Sequence, residues 1–327
     1  MNSIRRTQLM NLAQLSLMVL LQVGELVDVD DLTASRSTNS LNDQAELLGL
    51  VLDETIRSDF LPVLTVLSSA GNGGFLVELT NTPTAYVEKF FVQFPPEPSL
   101  TSPVPMLVAF HKFGSGALDI TNNTSLEQEC FDRNWFLVAP LGASTKSFSS
   151  IPSQLNTELV LELMLDRFGD YIDSERIYGV GFSMGGGNLL NYAARHVDPS
   201  RPMFAALLNH SGAVSLRHSY LAQSANQVIM ETWFGGTPHD VPFEYARSSV
   251  INLYGQTDGG TIGPGPGTSP PTDQFIDRPN SLIDNISYAP LYLFRVQLDP
   301  LKHMSVQLDA LGRHLALTGA NFVYKVK

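Results

Sequence analysis

The stretch RIYGVGFSMGGGNLLNYAARH, residues 176–196, decides the fold. It opens with a short apolar run, RIYGVGF, of the kind found in strands buried on both faces. It turns sharply at GFSMG, residues 181–185, and leaves through GGGNLLNYAARHV, whose Leu189, Leu190, Ala193 and Ala194 fall at helical spacing. Strand, tight turn and helix in this order match the G-x-S-x-G pattern. In that pattern the flanking glycines leave room for a serine in a strained turn, and the helix N-terminus favours negative charge beside it. Ser183 is therefore the candidate nucleophile, with the backbone N–H of Met184 as one donor to an oxyanion.

The same rhythm extends outward. VPMLVAF from Val104, WFLVAP from Trp135, FAALLNHSG from Phe204, PLYLFRVQ from Pro290 and NFVYKVK from Asn321 read as strands. SLEQECFDRN, TELVLELMLDRFGDYI (capped by Asn156 or Thr157) and HMSVQLDALGRHLAL read as helices between them. This alternation predicts an α/β fold, a mostly parallel sheet with helices on both faces and its site at the carboxyl ends of the strands. Upstream, FLVELTN and TAYVEKFFVQF read as further strands. The segment from Ala45 through VLTVLSSAG has helical spacing, broken near Pro62. We divide the chain into an N-terminal extension, 1–81, and a catalytic-type domain, 82–327. GGTIGPGPGTSPPTDQF, within an irregular insertion at about 255–280, has no periodicity and is too long for an ordinary connection.

The chain has 327 residues, of which 43% are hydrophobic and 16% charged, enough for a sizeable core. A net charge of −12 disfavours nucleic acid and anionic membranes as partners. The single cysteine, Cys130, excludes a disulfide framework and a cysteine-rich zinc site. No metal or organic cofactor is expected. Near the N-terminus, Arg5 and Arg6 precede an apolar run that is signal-like but interrupted by Asn11, Gln14 and Gln22. It is short for a membrane span, so the localisation, cytoplasmic or secreted, stays open.

The loop after VPMLVAF, AFHKFGSG at 109–116, is placed to give the second oxyanion donor from the N–H of Lys112 or Phe113. At this point the chain resembles the α/β-hydrolases, within them the polyhydroxyalkanoate depolymerase, feruloyl esterase and prolyl oligopeptidase-like group. In those proteins the elbow reads G-x-S-x-G-G, as Gly185, Gly186 and Gly187 do here. Their oxyanion loop reads His-Gly-x-Gly. His111 and Gly114 match it, whereas Lys112 stands where glycine is usual and would need the backbone geometry glycine prefers. The resemblance implies a triad acid after a late strand. Asp299, in LFRVQLDPLKH, fits, with Arg295 in place of a usual histidine. A helix-capping role for Asp299 is the alternative.

The resemblance also implies a base after the last strand, in the order Ser, Asp, His. Downstream of Asp299 only His303, at a helix start, and His314, within that helix, are present. His111 and His210 are candidates to line the substrate pocket, and His196 ends a helix. His210, at the end of FAALLNH beside the nucleophile strand, is the candidate base within the chain. Three expectations follow. The domain is incomplete at its C-terminus and the histidine lies beyond Lys327, or His210 serves, or the chain is a catalytically silent hydrolase-like binding domain. The implied reaction is cleavage of a small or polymeric carboxylic ester through an acyl-enzyme on Ser183, with peptide hydrolysis as the alternative.

Overall fold

The computed structural model describes residues 63–70, 72–198, 203–253, 282–297 and 299–327. The signal-like run and the Gly/Pro-rich insertion fall outside them. The described strands form one nine-stranded sheet: β1 (Val63–Ala70), β2 (Gly74–Thr80), β3 (Glu88–Gln93), β4 (Val104–Phe110), β5 (Phe136–Pro140), β6 (Ile172–Phe182), β7 (Phe204–His210), β8 (Leu291–Arg295) and β9 (Phe322–Val326). Their order is β1-β2-β3-β5-β4-β6-β7-β8-β9. β1, β2 and β3 pair antiparallel, and β3 meets β5 antiparallel. From β5 to β9 every pairing is parallel. The sheet is thus mostly parallel, as the alternation of elements predicts, and its first described strand is Val63–Ala70.

The parallel half needs crossover helices, and these cover both faces. On one side lie α3 (Ile151–Phe168), α4 (Met184–Arg195) and α8 (Lys302–Thr318). Val160, Met164, Leu189, Leu190, Leu308 and Leu311 bury this face against Met106, Val108, Leu207 and Leu293. On the other lie α1 (Asp119–Asn123) and α2 (Leu126–Asp132), whose Ile120, Leu126 and Cys130 pack with Leu107, Leu137, Val180 and Leu208. β5 is buried at every residue and β4 from its second onward, which is why both read as unbroken apolar runs. Three short helices, α5 (Leu216–Ala222), α6 (Ser224–Phe234) and α7 (Pro242–Arg247), follow β7 and form a third apolar cluster with Met184, Phe148 and Met304.

Two local readings are corrected. Residues 63–70 carry helical spacing but form strand β1, with a bulge between Val66 and Ser68. β1 is an edge strand, and the side chains of 65–69 are exposed, so burial imposes no period of two on it. Helix α3 begins at Ile151 behind Ser150, with Pro152 in its first turn, so Asn156 and Thr157 sit inside it rather than capping it. Asn156 is fully buried, and its amide serves the loop network described below.

Candidate active site

The carboxyl ends of β4, β6, β7 and β8 lie side by side in parallel register, and each delivers one part of the site. Ser183 sits between β6 and α4 with φ of 53° and ψ of −121°, a left-side backbone that a non-glycine residue seldom takes. The surroundings over-determine it. The Ser183 amide donates to the carbonyl of His210 at 2.9 Å, and its own carbonyl accepts from Gly186 at 3.0 Å and Ala213 at 3.3 Å. The glycines are needed for close approach. A Cβ on Gly185 would stand 2.3 Å from the carbonyl oxygen of Phe110, and one on Gly187 would stand 1.9 Å from that of Ala213. The elbow is therefore wedged between the loop after β4 and the loop after β7. Met184, 2% exposed, opens α4, so its amide belongs to the unpaired set at a helix start.

The loop after β4 takes its place directly against this turn. His111 is buried, and its ring nitrogens lie 2.9 Å from the carbonyl oxygens of Lys112 and Leu141. A neutral imidazole has one N–H, so it donates to one of these two carbonyls and packs against the other, and either way the ring ties the loop down. Lys112 is exposed and its Nζ pairs with Asp119 at 2.6 Å. It does not take the left-handed backbone expected of a residue in a glycine position; Gly114 does, at φ of 76°. Gly114 donates to the Thr145 carbonyl at 2.8 Å. Phe113 is half-buried, with its ring 5.3 Å from that of Phe148.

Asp299 follows β8 and is partly buried. Its Oδ1 accepts the Leu301 amide at 2.8 Å, a local turn just ahead of α8. His210 ends β7 in one row with Phe182 of β6 and Phe294 of β8. Its ring lies 5.8 Å from that of Phe182 and is stacked 6.4 Å from that of Phe294. Phe182 and Phe294 belong to the face covered by α1 and α2, whereas α4 packs on the opposite face. Burial pushes the His210 pKa down, and the nearby Asp299 charge pushes it partly back up.

The fold thus brings Ser183, Met184, His111, Phe113 and the His210 backbone together, and sets Asp299 electrostatically near His210. Among the described residues, no histidine ring hydrogen-bonds the Ser183 hydroxyl or the Asp299 carboxylate. His303 instead faces His218, ring centres 6.2 Å apart, and its pKa is lowered to about 4 by burial and by that neighbour. His314 is buried in α8, 3.4 Å from Asp284. His196 stacks on Tyr192. No cluster of three or more metal-ligating side chains, and no helix long and apolar enough to cross a membrane, occurs among the described residues. Sequence reasoning missed Glu88 and Phe148, both of which bear on the loop after β4.

Against solved structures, the chain is similar to a fluorophosphonate-binding serine hydrolase of Staphylococcus aureus, with a TM-score of 0.51 and 14% identity over 81% of this chain and 90% of that one. It is also similar to an S-formylglutathione hydrolase of Agrobacterium tumefaciens, at a TM-score of 0.51 and 14% identity over 80% and 90%. An S-formylglutathione hydrolase of S. aureus gives a TM-score of 0.50 and 15% identity over 82% and 91%. No family model and no curated protein sequence matches the chain. These likenesses show the fold, which is that of the α/β-hydrolases.

Proposed function

We propose that the protein is a serine hydrolase that cleaves carboxylic esters through an acyl-enzyme on Ser183. The observation that carries this reading is the elbow itself. A serine held at φ of 53° at the head of α4, by glycines whose Cβ atoms would collide with two neighbouring loops, stores strain that a structural turn does not need. The structural neighbours are serine hydrolases and S-formylglutathione hydrolases, consistent with this use of the fold.

In the proposed reaction the Ser183 hydroxyl loses its proton to a histidine as Oγ adds to the ester carbonyl carbon. The amides of Met184 and of Lys112 or Phe113 hold the resulting oxyanion. The C–O bond to the alcohol breaks, the alcohol leaves with the proton, and water repeats the sequence to release the acid. Of the described histidines, His210 has the strongest claim as base: its carbonyl anchors the Ser183 amide, and Asp299 supports the charged form of its ring. Asp299 is assigned as the acid. The alternative, a silent hydrolase-like binding domain, draws its support from the Asp299 carboxylate, whose hydrogen bond goes to its own turn.

A fluorophosphonate probe separates the two. Labelling that maps to Ser183, is lost in Ser183→Ala and accompanies hydrolysis of p-nitrophenyl acetate is the expected result. A folded wild-type protein that neither labels nor turns over ester is the silent domain.

A further inference from the structure

The geometry points to Glu88 as a positioning residue for the loop that carries the proposed oxyanion donors, acting through the loop that follows β5. Its catalytic consequence rests on the serine hydrolase reading above; its structural claim does not. Glu88 opens β3 and is 0% exposed. Because β3 runs antiparallel to β5, this first residue lies beside the end of β5, on the side of the sheet where the site is built. A buried carboxylate is costly unless donors surround it. Here Oε1 accepts the amides of Leu141 at 2.7 Å and Gly142 at 3.0 Å, and Oε2 accepts the amide of Ala143 at 2.8 Å and Asn156 Nδ2 at 3.1 Å. Burial raises the pKa of Glu88, and all four hydrogen bonds oppose that rise.

Three successive amides converge on one anion only if the chain curls into a concave nest. Gly142 and Ala143 both take positive φ, 68° and 69°, to do so. Ser147 Oγ, bonded to the Gly142 carbonyl, ties the rest of the loop to this nest. From there the loop reaches the oxyanion loop at four places. The Leu141 carbonyl lies 2.9 Å from His111 Nε2, and the Thr145 carbonyl accepts the Gly114 amide at 2.8 Å. The Phe148 ring lies 5.3 Å from that of Phe113, and Lys146 Nζ stands 5.6 Å from the centre of the Phe113 ring. Phe148 holds a φ of 49° while 4% exposed, a conformation that a bulky residue keeps only when its surroundings impose it. Leu141 is the shortest link: its amide is shared between Glu88 and the Lys89 carbonyl, 2.8 Å away, and its carbonyl faces His111. Glu88 itself is fully buried and reaches the proposed donors only through these contacts, so its role is to fix where the donors stand.

The test is Glu88→Gln in the full chain. The substitution keeps the shape but turns one acceptor into a donor facing amide hydrogens. Hydrogen exchange of the Gly114 amide is expected to accelerate about tenfold or more, while amides of α4 such as Gly186 change less than about twofold. Normalised to sites titrated by a fluorophosphonate probe, kcat for p-nitrophenyl acetate is expected to fall about tenfold with KM nearly constant, the signature of displaced transition-state donors. A folded Glu88→Gln protein with unchanged Gly114 exchange overturns the inference. If the wild-type protein does not react with the probe, the hydrolase reading fails, and the exchange result still decides the role of Glu88. Should Glu88→Gln not fold, Asn156→Ala removes one donor from the same carboxylate. A smaller acceleration at Gly114 is then expected, and its absence overturns the proposal.

Discussion

The amide of Ser183 donates to the carbonyl of His210, 2.9 Å away, so the nucleophile turn is braced by the backbone of the residue whose ring is also the proposed base. The two roles separate by mutation. His210→Phe keeps the carbonyl and an aromatic ring between Phe182 and Phe294, but removes both nitrogens. If the ring is the base, ester turnover per labelled site should fall about a thousandfold while the melting temperature stays within a few degrees of wild type. Turnover within twofold of wild type would remove His210 from the mechanism.

The same pair fixes a pH dependence. A general base must be neutral to act. Burial holds the His210 pKa below its ordinary 6.5, so the acid limb of kcat/KM should lie below pH 6.5. The charge of Asp299 pulls in the opposite direction, raising it. Asp299→Asn should therefore move the acid limb to still lower pH while lowering the plateau. A pH–rate profile of the two proteins checks this, and a limb that moves upward would contradict the assignment.

The parts legible in the sequence are those written locally. The elbow at 181–185, the buried runs of β4 and β5, and the alternation of strand and helix each occupy one short window, and the structure has them where the windows put them. What was hidden depends on distant partners. Glu88 sits in an aromatic strand with no local sign that three amides 53 to 55 residues away converge on it. α5, α6 and α7 are short, and the cluster that buries them draws on Met184, Phe148 and Met304 from elsewhere in the chain. β1 shows helical spacing rather than alternation because an exposed edge strand carries little burial pattern. Lys112 stands in a glycine position of the motif without needing glycine's backbone, because Gly114 supplies the left-handed conformation of this loop.

Glycine substitutions at the elbow should divide by mechanism. Gly185→Ala and Gly187→Ala place a Cβ 2.3 and 1.9 Å from backbone carbonyl oxygens that cannot rotate away. Each should cost about 2 kcal/mol or more, or prevent folding, and abolish probe labelling. Gly114→Ala meets no atom within 4 Å and pays only for its φ of 76°, about 1 kcal/mol. Denaturant unfolding of the three variants gives the ranking.

Gln307 of α8 is 0% exposed and holds the loop after β7 from behind. Its Oε1 accepts the amides of Val214 at 2.8 Å and Ser215 at 2.9 Å, and its Nε2 donates to the Ser215 carbonyl and the Ser219 hydroxyl. That loop also sends the Ala213 amide to the Ser183 carbonyl. Gln307→Leu strands two buried amides and should destabilise the protein by about 3 kcal/mol. Because the loop braces the elbow, the folded fraction should also label more slowly at Ser183. A variant that loses stability but labels at the wild-type rate would show that the brace is dispensable.

Acid stability should depend on His303. Its pKa in the folded protein is about 4, lowered by burial and by His218, against about 6.5 in an unfolded chain. Between those values the unfolded state binds a proton that the folded state refuses, so stability rises with pH across the window and is lost as pH falls through it. Above pH 6.5 both states are neutral at this position, and the contribution is constant. The loss between pH 6.5 and 4 should be on the order of 2 kcal/mol, after allowance for the partial exposure of the ring. His303→Gln removes the titrating group and should flatten this part of the curve, leaving the plateau above pH 7 nearly unchanged. Denaturant unfolding of both proteins at half-unit steps from pH 4 to 8 measures the difference. Parallel curves would mean that His303 keeps its proton in the folded state, and that burial against His218 does not exclude it.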